Sequence, residues 1–212
     1  MKKTIFAALT AVALLASSCS SGLGGLLGGG TTTNTSSTGS ILSSVLGGVL
    51  GNVLFGGSGL TASSLVGDWN YNTASAAYTN ENTLNKAGGA AAVSSLISSL
   101  ASNYQNIGIN KNNTEFNFGA NNTYAAKVNG IPFNGTYTFN ESTGEIALKS
   151  GNQTIKGNVA RANNGIALIF DANQMVNMLQ NCGQVTNKAA VEAVGKLART
   201  SDGARVGFEL TK

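Results

Sequence analysis

Few residues in this chain offer a starting point for chemistry. Its 212 residues contain nine carboxylates, two cysteines and no histidine. Without imidazole there is no Ser-His-Asp or Cys-His nucleophile, no histidine metal ligand and no side chain of ordinary pKa near neutrality. Glu141 and Glu145 flank one tight turn. As a pair they could do general acid and base work, but carboxylates beside a Gly-containing turn are ordinarily there for solubility. Asp68 alternates outward beside Trp69, and Asp171 stands where a helix cap belongs. Cys182 ends an apolar helical stripe and reads as a buried thiol, not a nucleophile. The residues predict a protein that is not an enzyme, with no cofactor and no metal site.

Cys19 lies in a different setting. Lys2 and Lys3, an apolar run from Ile5 to Leu15, and the small residues Ala16-Ser17-Ser18 precede it. That is the order of a signal peptide ending at a lipoprotein cleavage site, and the apolar run is too short to span a bilayer. Residues 1–18 are then the leader. Cys19 becomes a lipidated N-terminus, and several acyl chains give stable attachment to a membrane. The alternative, a Cys19–Cys182 disulfide, would tie a Gly/Ser tail to the domain; lipidation of Cys19 leaves Cys182 alone. No Asp follows Cys19 to direct inner-membrane retention. The expected location is the cell envelope, at the outer membrane facing the periplasm. Of 13 basic residues Lys2 and Lys3 leave with the leader, so 11 stand against 9 acidic ones. That balance does not suit nucleic acid as a partner.

Residues 19–59 read as a tether, with no charge between Ser20 and Gly67. Ser20 to Thr38 has the composition of a flexible linker. Further on, Ile41, Val45 and Val49 recur every four residues, as do Leu42, Leu46, Leu50 and Leu54, with Gly47 and Gly51 among them. Two readings stand: a short helix at the membrane interface or associating with itself, or an apolar tether without fixed structure, which the glycines favour.

The domain is expected over residues 60–212. Leu65 to Tyr71 reads as a first strand, with Gly67, Trp69 and Tyr71 on one face. An insertion over 73–111 follows, with a helix whose stripe is Leu84, Val93, Leu96, Ile97, Leu100 and Tyr104. Then alternation takes over: Phe116 and Phe118, Tyr124 to Val128, Gly135 to Phe139, Ile146 and Leu148, Ile155 to Arg161, Ile166 to Phe170. Asn- and Gly-rich turns separate these runs. Asp171 and Gln174 have capping-box spacing at the start of a helix carrying Met175 and Met178, a second helix covers Lys188 to Arg199, and Ala204 to Thr211 closes the chain as a strand. The class is mainly β with helical insertions: an eight-stranded up-and-down antiparallel barrel, either packed shut or holding one small ligand.

Gly67-Asp68-Trp69 at the head of this meander looks like the Gly-x-Trp signature of lipocalins and other calycin barrels. The whole chain, with Cys19, the Gly-rich tether, the Ala87-Gly88-Gly89 of the insertion and the Phe170-Asp171-Ala172 helix start, resembles a Bacteroidetes lipoprotein family of lipocalin-like domains, domain of unknown function 4923. The resemblance covers roughly residues 60–212 and implies a lipocalin-like fold and an envelope location, with no established activity. A second lipocalin signature, Thr-Asp-x-x-Tyr, is absent. The resemblance also implies an arginine packed across the tryptophan. Arg161 has the inward parity and the strand end for that role, whereas Arg205 is outward at the other end. With Trp69 at the closed end, both helical insertions fall over the same open mouth. Tyr71, Phe116, Tyr137, Phe139, Met175 and Met178 are the candidate lining of a pocket, though a packed core accounts for the same residues. The expected function is binding of a small hydrophobic or amphipathic ligand by a membrane-anchored domain. The alternative is a filled barrel acting as a non-enzymatic envelope scaffold for a protein partner that the sequence does not specify.

Overall fold

The computed structural model describes residues 60–79, 81–162, 165–181, 187–200 and 202–212. The leader, Cys19, the tether with its 41–55 repeat, Cys182 and the side chain of Leu84 lie outside the described residues. Eight strands close into an antiparallel barrel in chain order: β1 Gly67–Tyr78, β2 Glu115–Phe118, β3 Thr123–Val128, β4 Ile131–Phe139, β5 Glu145–Ser150, β6 Gln153–Ala162, β7 Gly165–Phe170 and β8 Ala204–Thr211. The helices are α1 Ala62–Leu65, α2 Glu81–Ala87, α3 Ala90–Asn106, α4 Ala172–Asn181 and α5 Lys188–Thr200.

Side chains alternate across a strand, so one inward residue fixes the inward set all round a closed ladder. Trp69 stands opposite Phe116, Phe116 opposite Ala126, and Ala126 opposite Phe133. Tyr137 meets Leu148, Leu148 meets Ile155, Val159 meets Leu168, and Leu168 meets Phe208. Nearly all of these are buried, while outward neighbours such as Asn117, Ala125 and Lys149 are exposed. Short hairpins hold the register. At the β3–β4 turn Asn129 and Gly130 take φ of 53° and 80°, the left-handed pair that a two-residue hairpin needs.

Two expectations are corrected. Leu65 does not begin the first strand; it ends α1, whose Thr61 caps the helix reciprocally with Ser64. β1 instead runs on to Tyr78, through Thr73-Ala-Ser-Ala-Ala, a stretch without bulky alternation to betray a strand. A bulge at Asn72 makes this extension possible: Tyr71 faces Leu210, and the next paired residue, Thr73, faces Glu209. The extra residue resets parity, so Ala74, Ala76 and Tyr78 point inward opposite Phe208, Val206 and Ala204.

β2 pairs only with Gly67 to Asn70, so the upper half of β1 has no β2 beside it. There α3 packs against β1, burying Val93, Leu96, Leu100 and Tyr104 as the spacing predicts. Gly88 and Gly89, at φ of 105° and 68°, divide α2 from α3. Asp171 accepts from the Gln174 amide at 2.8 Å, as a cap should. The Gln174 side chain does not close the box; its oxygen accepts from Lys156 N at 3.0 Å and ties α4 to β6. Tyr78, Phe170 and Ala204 lie at one end of the ladder, and α3, α4 and α5 pack together there. Both insertions therefore cover the same rim.

Candidate functional site

At the closed end α1 and the start of β1 meet the β4–β5 turn and the end of β8. Trp69 Nε1 donates to Leu65 O at 2.7 Å, fixing the indole under α1. Ala62 N donates to Glu141 Oε1 at 2.7 Å, which links α1 to the β4–β5 turn. The cation over the indole is Lys212, with Nζ 4.7 Å from the ring centroid and donating to Val66 O at 3.0 Å. This corrects the assignment to Arg161. Arg161 stands opposite Ile166, Ile166 opposite Leu210, and Leu210 opposite Tyr71, so its rung meets β1 above Trp69. Arg161 itself is exposed. Gly67 has φ of 130°, and a Cβ there would come within 3.3 Å of the Lys212 side chain, so the glycine of the Gly-x-Trp signature makes room for this cation.

Above Trp69 the interior is bridged by rings. Phe208 lies 5.9 Å from Tyr71, 5.5 Å from Tyr104 and 5.8 Å from Phe116, centroid to centroid. Phe116 continues the contact to Phe118 at 6.4 Å, and Phe118 meets Tyr137 at 5.1 Å. Such spacings are those of attractive aromatic pairs. Tyr104 Oη donates to Gly207 O at 3.2 Å and Tyr137 Oη to Gly119 O at 3.1 Å. Burial pushes the Tyr71 hydroxyl up to about 12, raises Tyr137, and raises Tyr104 well above the usual phenol value, with the charge of Tyr71 a second cause there. All three are neutral donors at physiological pH and none is a base.

Met175 and Met178 of α4 are fully buried under the rim. Met178 closes a cavity of about 80 Å³ whose walls include Tyr124, Phe133, Leu148 and Ile155. Ligand pockets are ordinarily about 300–1,000 Å³, so this one has room for little more than two waters, at about 30 Å³ each. Of the predicted lining, Tyr71, Phe116, Tyr137, Met175 and Met178 converge on the interior. Phe139 keeps the inward parity of Tyr137, opposite Ile146, and packs against the core, but it is only half-buried and borders a groove of about 440 Å³ with Ala147, Lys156 and Arg205. A larger cleft, about 550 Å³, lies in the cap between α2, α3 and α5, where Tyr78, Ser95, Ser99, Leu197 and Asp202 meet.

Sequence reasoning missed three contributors. Lys212 continues the inward parity of Val206, Phe208 and Leu210 by one further step, a signal that was readable. Phe133 extends the Gly135–Tyr137 alternation backwards in the same way. Tyr104 was visible on its stripe, but nothing local showed that it reaches Phe208. Among the described residues no group of three Asp, Glu or Cys side chains could hold a metal ion.

Compared with known proteins, residues 48–212 match the family model described as lipocalin-like domain DUF4923. No curated protein and no solved structure matches the chain. The closed eight-strand ladder, the Gly67-Asp68-Trp69 base and a match across most of its length place the chain in the DUF4923 family of lipocalin-like domains.

Proposed function

We propose that the chain is a lipid-anchored envelope protein whose barrel is a filled, non-enzymatic scaffold presenting its surface to a protein partner. Cys19 behind its leader supports the anchor. Interior volume carries the rest: rings span the barrel from Tyr71 through Phe208 and Phe116 to Tyr137, and the cavity beneath Met178 is about 80 Å³. A lipid-sized ligand would have to displace side chains that already make those contacts. Every buried side-chain nitrogen and oxygen among the described residues has a hydrogen-bond partner, so the interior presents no polar group in need of one. Native mass spectrometry of the mature protein taken from its host membrane tests the reading. The expected mass is that of the acylated chain alone; a retained apolar molecule of several hundred daltons would overturn it.

A second reading rests on Met178. Its unbranched thioether re-packs easily, and its outward movement would join the small cavity to the rim. Under this reading a small apolar molecule enters beneath α4. Saturable uptake of such a molecule by the unmodified protein would favour it over the filled scaffold.

A further inference from the structure

Two grooves on the outside of the barrel adjoin. The one of about 440 Å³ beside Phe139, and another of about 360 Å³ between the end of α5 and the start of α4, are both lined by Asp171 and Arg205. The strand register explains why. Thr138 stands opposite Ala147 and Ala147 opposite Lys156, all three outward. Phe170 stands opposite both Gly157 and Val206, and one residue further the same register sets Asp171 between Lys156 and Arg205. One row of outward side chains therefore crosses β4 to β8, about 19 Å along the wall for strands about 4.8 Å apart. Ala147, between Thr138 and Lys156, is too short to fill the groove it lines. In the next row Glu145 stands opposite Asn158, whose Oδ1 accepts from Arg205 Nη1. At the other end Asp202 also lines the cap cleft, where Thr83, Ser95, Ser99 and Thr200 add hydroxyls.

Charge is balanced along this furrow. Lys156 and Arg205 stand with Glu145 and Asp171 in the first groove, and Arg199 and Arg205 with Asp171 and Asp202 in the second. Among the described residues none of these six is ion-paired with another. Their bonds go to neutral groups instead: Arg199 Nη2 donates to Asn173 Oδ1 at 3.1 Å, and Asp171 Oδ1 accepts from Gln174 N. An arginine has five N–H groups and a carboxylate about four lone-pair sites, so donors and acceptors of both kinds remain for a ligand.

We propose that the furrow binds a neutral oligosaccharide. A sugar hydroxyl both donates and accepts, which suits a wall where cationic donors and carboxylate acceptors alternate. Hydrogen bonds to ionised partners are also the stronger kind. A ligand of net charge would meet as many like charges as opposite ones. A bound peptide strand would need a free sheet edge, and the barrel beneath the furrow is closed. Half-buried Phe139 gives the C–H face of a sugar ring apolar surface to rest on. A row that crosses five strands is longer than one ring, which points to a chain of sugars. The site lies outside the barrel, so it does not depend on whether the interior is filled.

Binding of the full mature chain to an array of neutral glycans, with acidic glycans and peptides printed beside them, tests this. Neutral glycans of two or more sugars should bind. In calorimetric titration their Kd should change less than twofold between about 0.05 and 0.5 M sodium chloride, since no net charge is there to be screened. Arg205→Met and Ala147→Leu should each weaken binding on the order of tenfold, and Asn117→Ala on the opposite wall should leave it unchanged. Trp69 emission and the urea midpoint, unchanged in all three variants, would show an intact barrel. Absence of any bound neutral glycan overturns the proposal, as does unweakened binding by both Arg205→Met and Ala147→Leu. Acidic glycans bound alone, with a steep salt dependence, would assign Lys156 and Arg205 to an anion. Peptides bound alone would assign the furrow to the protein partner, and either result also overturns the proposal.

Discussion

The two ends of the barrel are shut by different means. At the closed end one short helix, one indole and the last residue of the chain meet through directional bonds: Trp69 to Leu65, Lys212 to Val66 and Glu141 to Ala62. Trp69 and Leu65 are near neighbours in sequence, so that bond costs little chain entropy, while Lys212 and Glu141 bring the end of β8 and the β4–β5 turn to the same place. At the rim, by contrast, α3, α4 and α5 come from two distant insertions and meet through Val, Leu, Ala and Met side chains. Directional bonds have few alternative geometries and favour a single arrangement. A cap of aliphatic and thioether contacts can re-pack, which makes the rim the end where exchange with the surroundings would occur.

That contrast can be broken by experiment. The largest effect is expected from Trp69→Ala, about 3–5 kcal/mol in urea unfolding, because it removes the largest side chain of the base and leaves Leu65 O without its donor. A loss below about 1 kcal/mol would mean that the base is not held by the indole. Met178→Ala comes next, at about 2–4 kcal/mol. It should also enlarge the existing cavity enough for benzene to raise the melting temperature, a response not expected of the unmodified protein. If benzene stabilises both equally, the rim is already open.

Alkali should act on the interior between the ends. Tyr71 is raised to about 12 and Tyr104 well above the usual value of 10.0. Above pH 10 the unfolded chain loses phenolic protons that the folded chain keeps, so stability falls from about pH 10 up to the folded-state values and is flat below. The slope per tyrosine cannot exceed about 1.4 kcal/mol per pH unit. Urea midpoints between pH 8 and 11.5 would reveal it, and Tyr71→Phe should make the fall shallower. The smallest effect separates two cations at the base: Lys212→Met should cost about 0.5–1 kcal/mol, and Arg161→Met less than about 0.5 kcal/mol. Equal losses would return Arg161 to the indole.

Much of the fold was legible because its signals are local. From β2 to β8 bulky apolar residues share one parity, interrupted by Ala126, Gly135 and Gly157, and Asn129-Gly130 or Ser150-Gly151 marks the turn. The capping of α4 by Asp171 was legible for the same reason. The upper half of β1 was not: Ala74 and Ala76 are small because α3 lies against them, and a sequence records that vacancy only as alanines. Most of the candidate site was legible as apolar residues of one parity, but not which residues touch. The Tyr104–Phe208 contact joins residues from separate elements, and no local pattern encodes it.

The sequence by itself determined the number and order of the strands, the side of β2 to β8 and of the start of β1 that faces in, and the rim that both insertions cover. Side-chain alternation and turn chemistry are properties of neighbouring residues, and an up-and-down path leaves each connection only one end to occupy. The tertiary structure alone decided that Lys212 and not Arg161 lies over Trp69, that rings and methionines leave only about 80 Å³ beneath Met178, and that one outer face is buried. Those outcomes depend on the offset between strands, on the bulge at Asn72 and on how side chains from distant segments fill a shared volume.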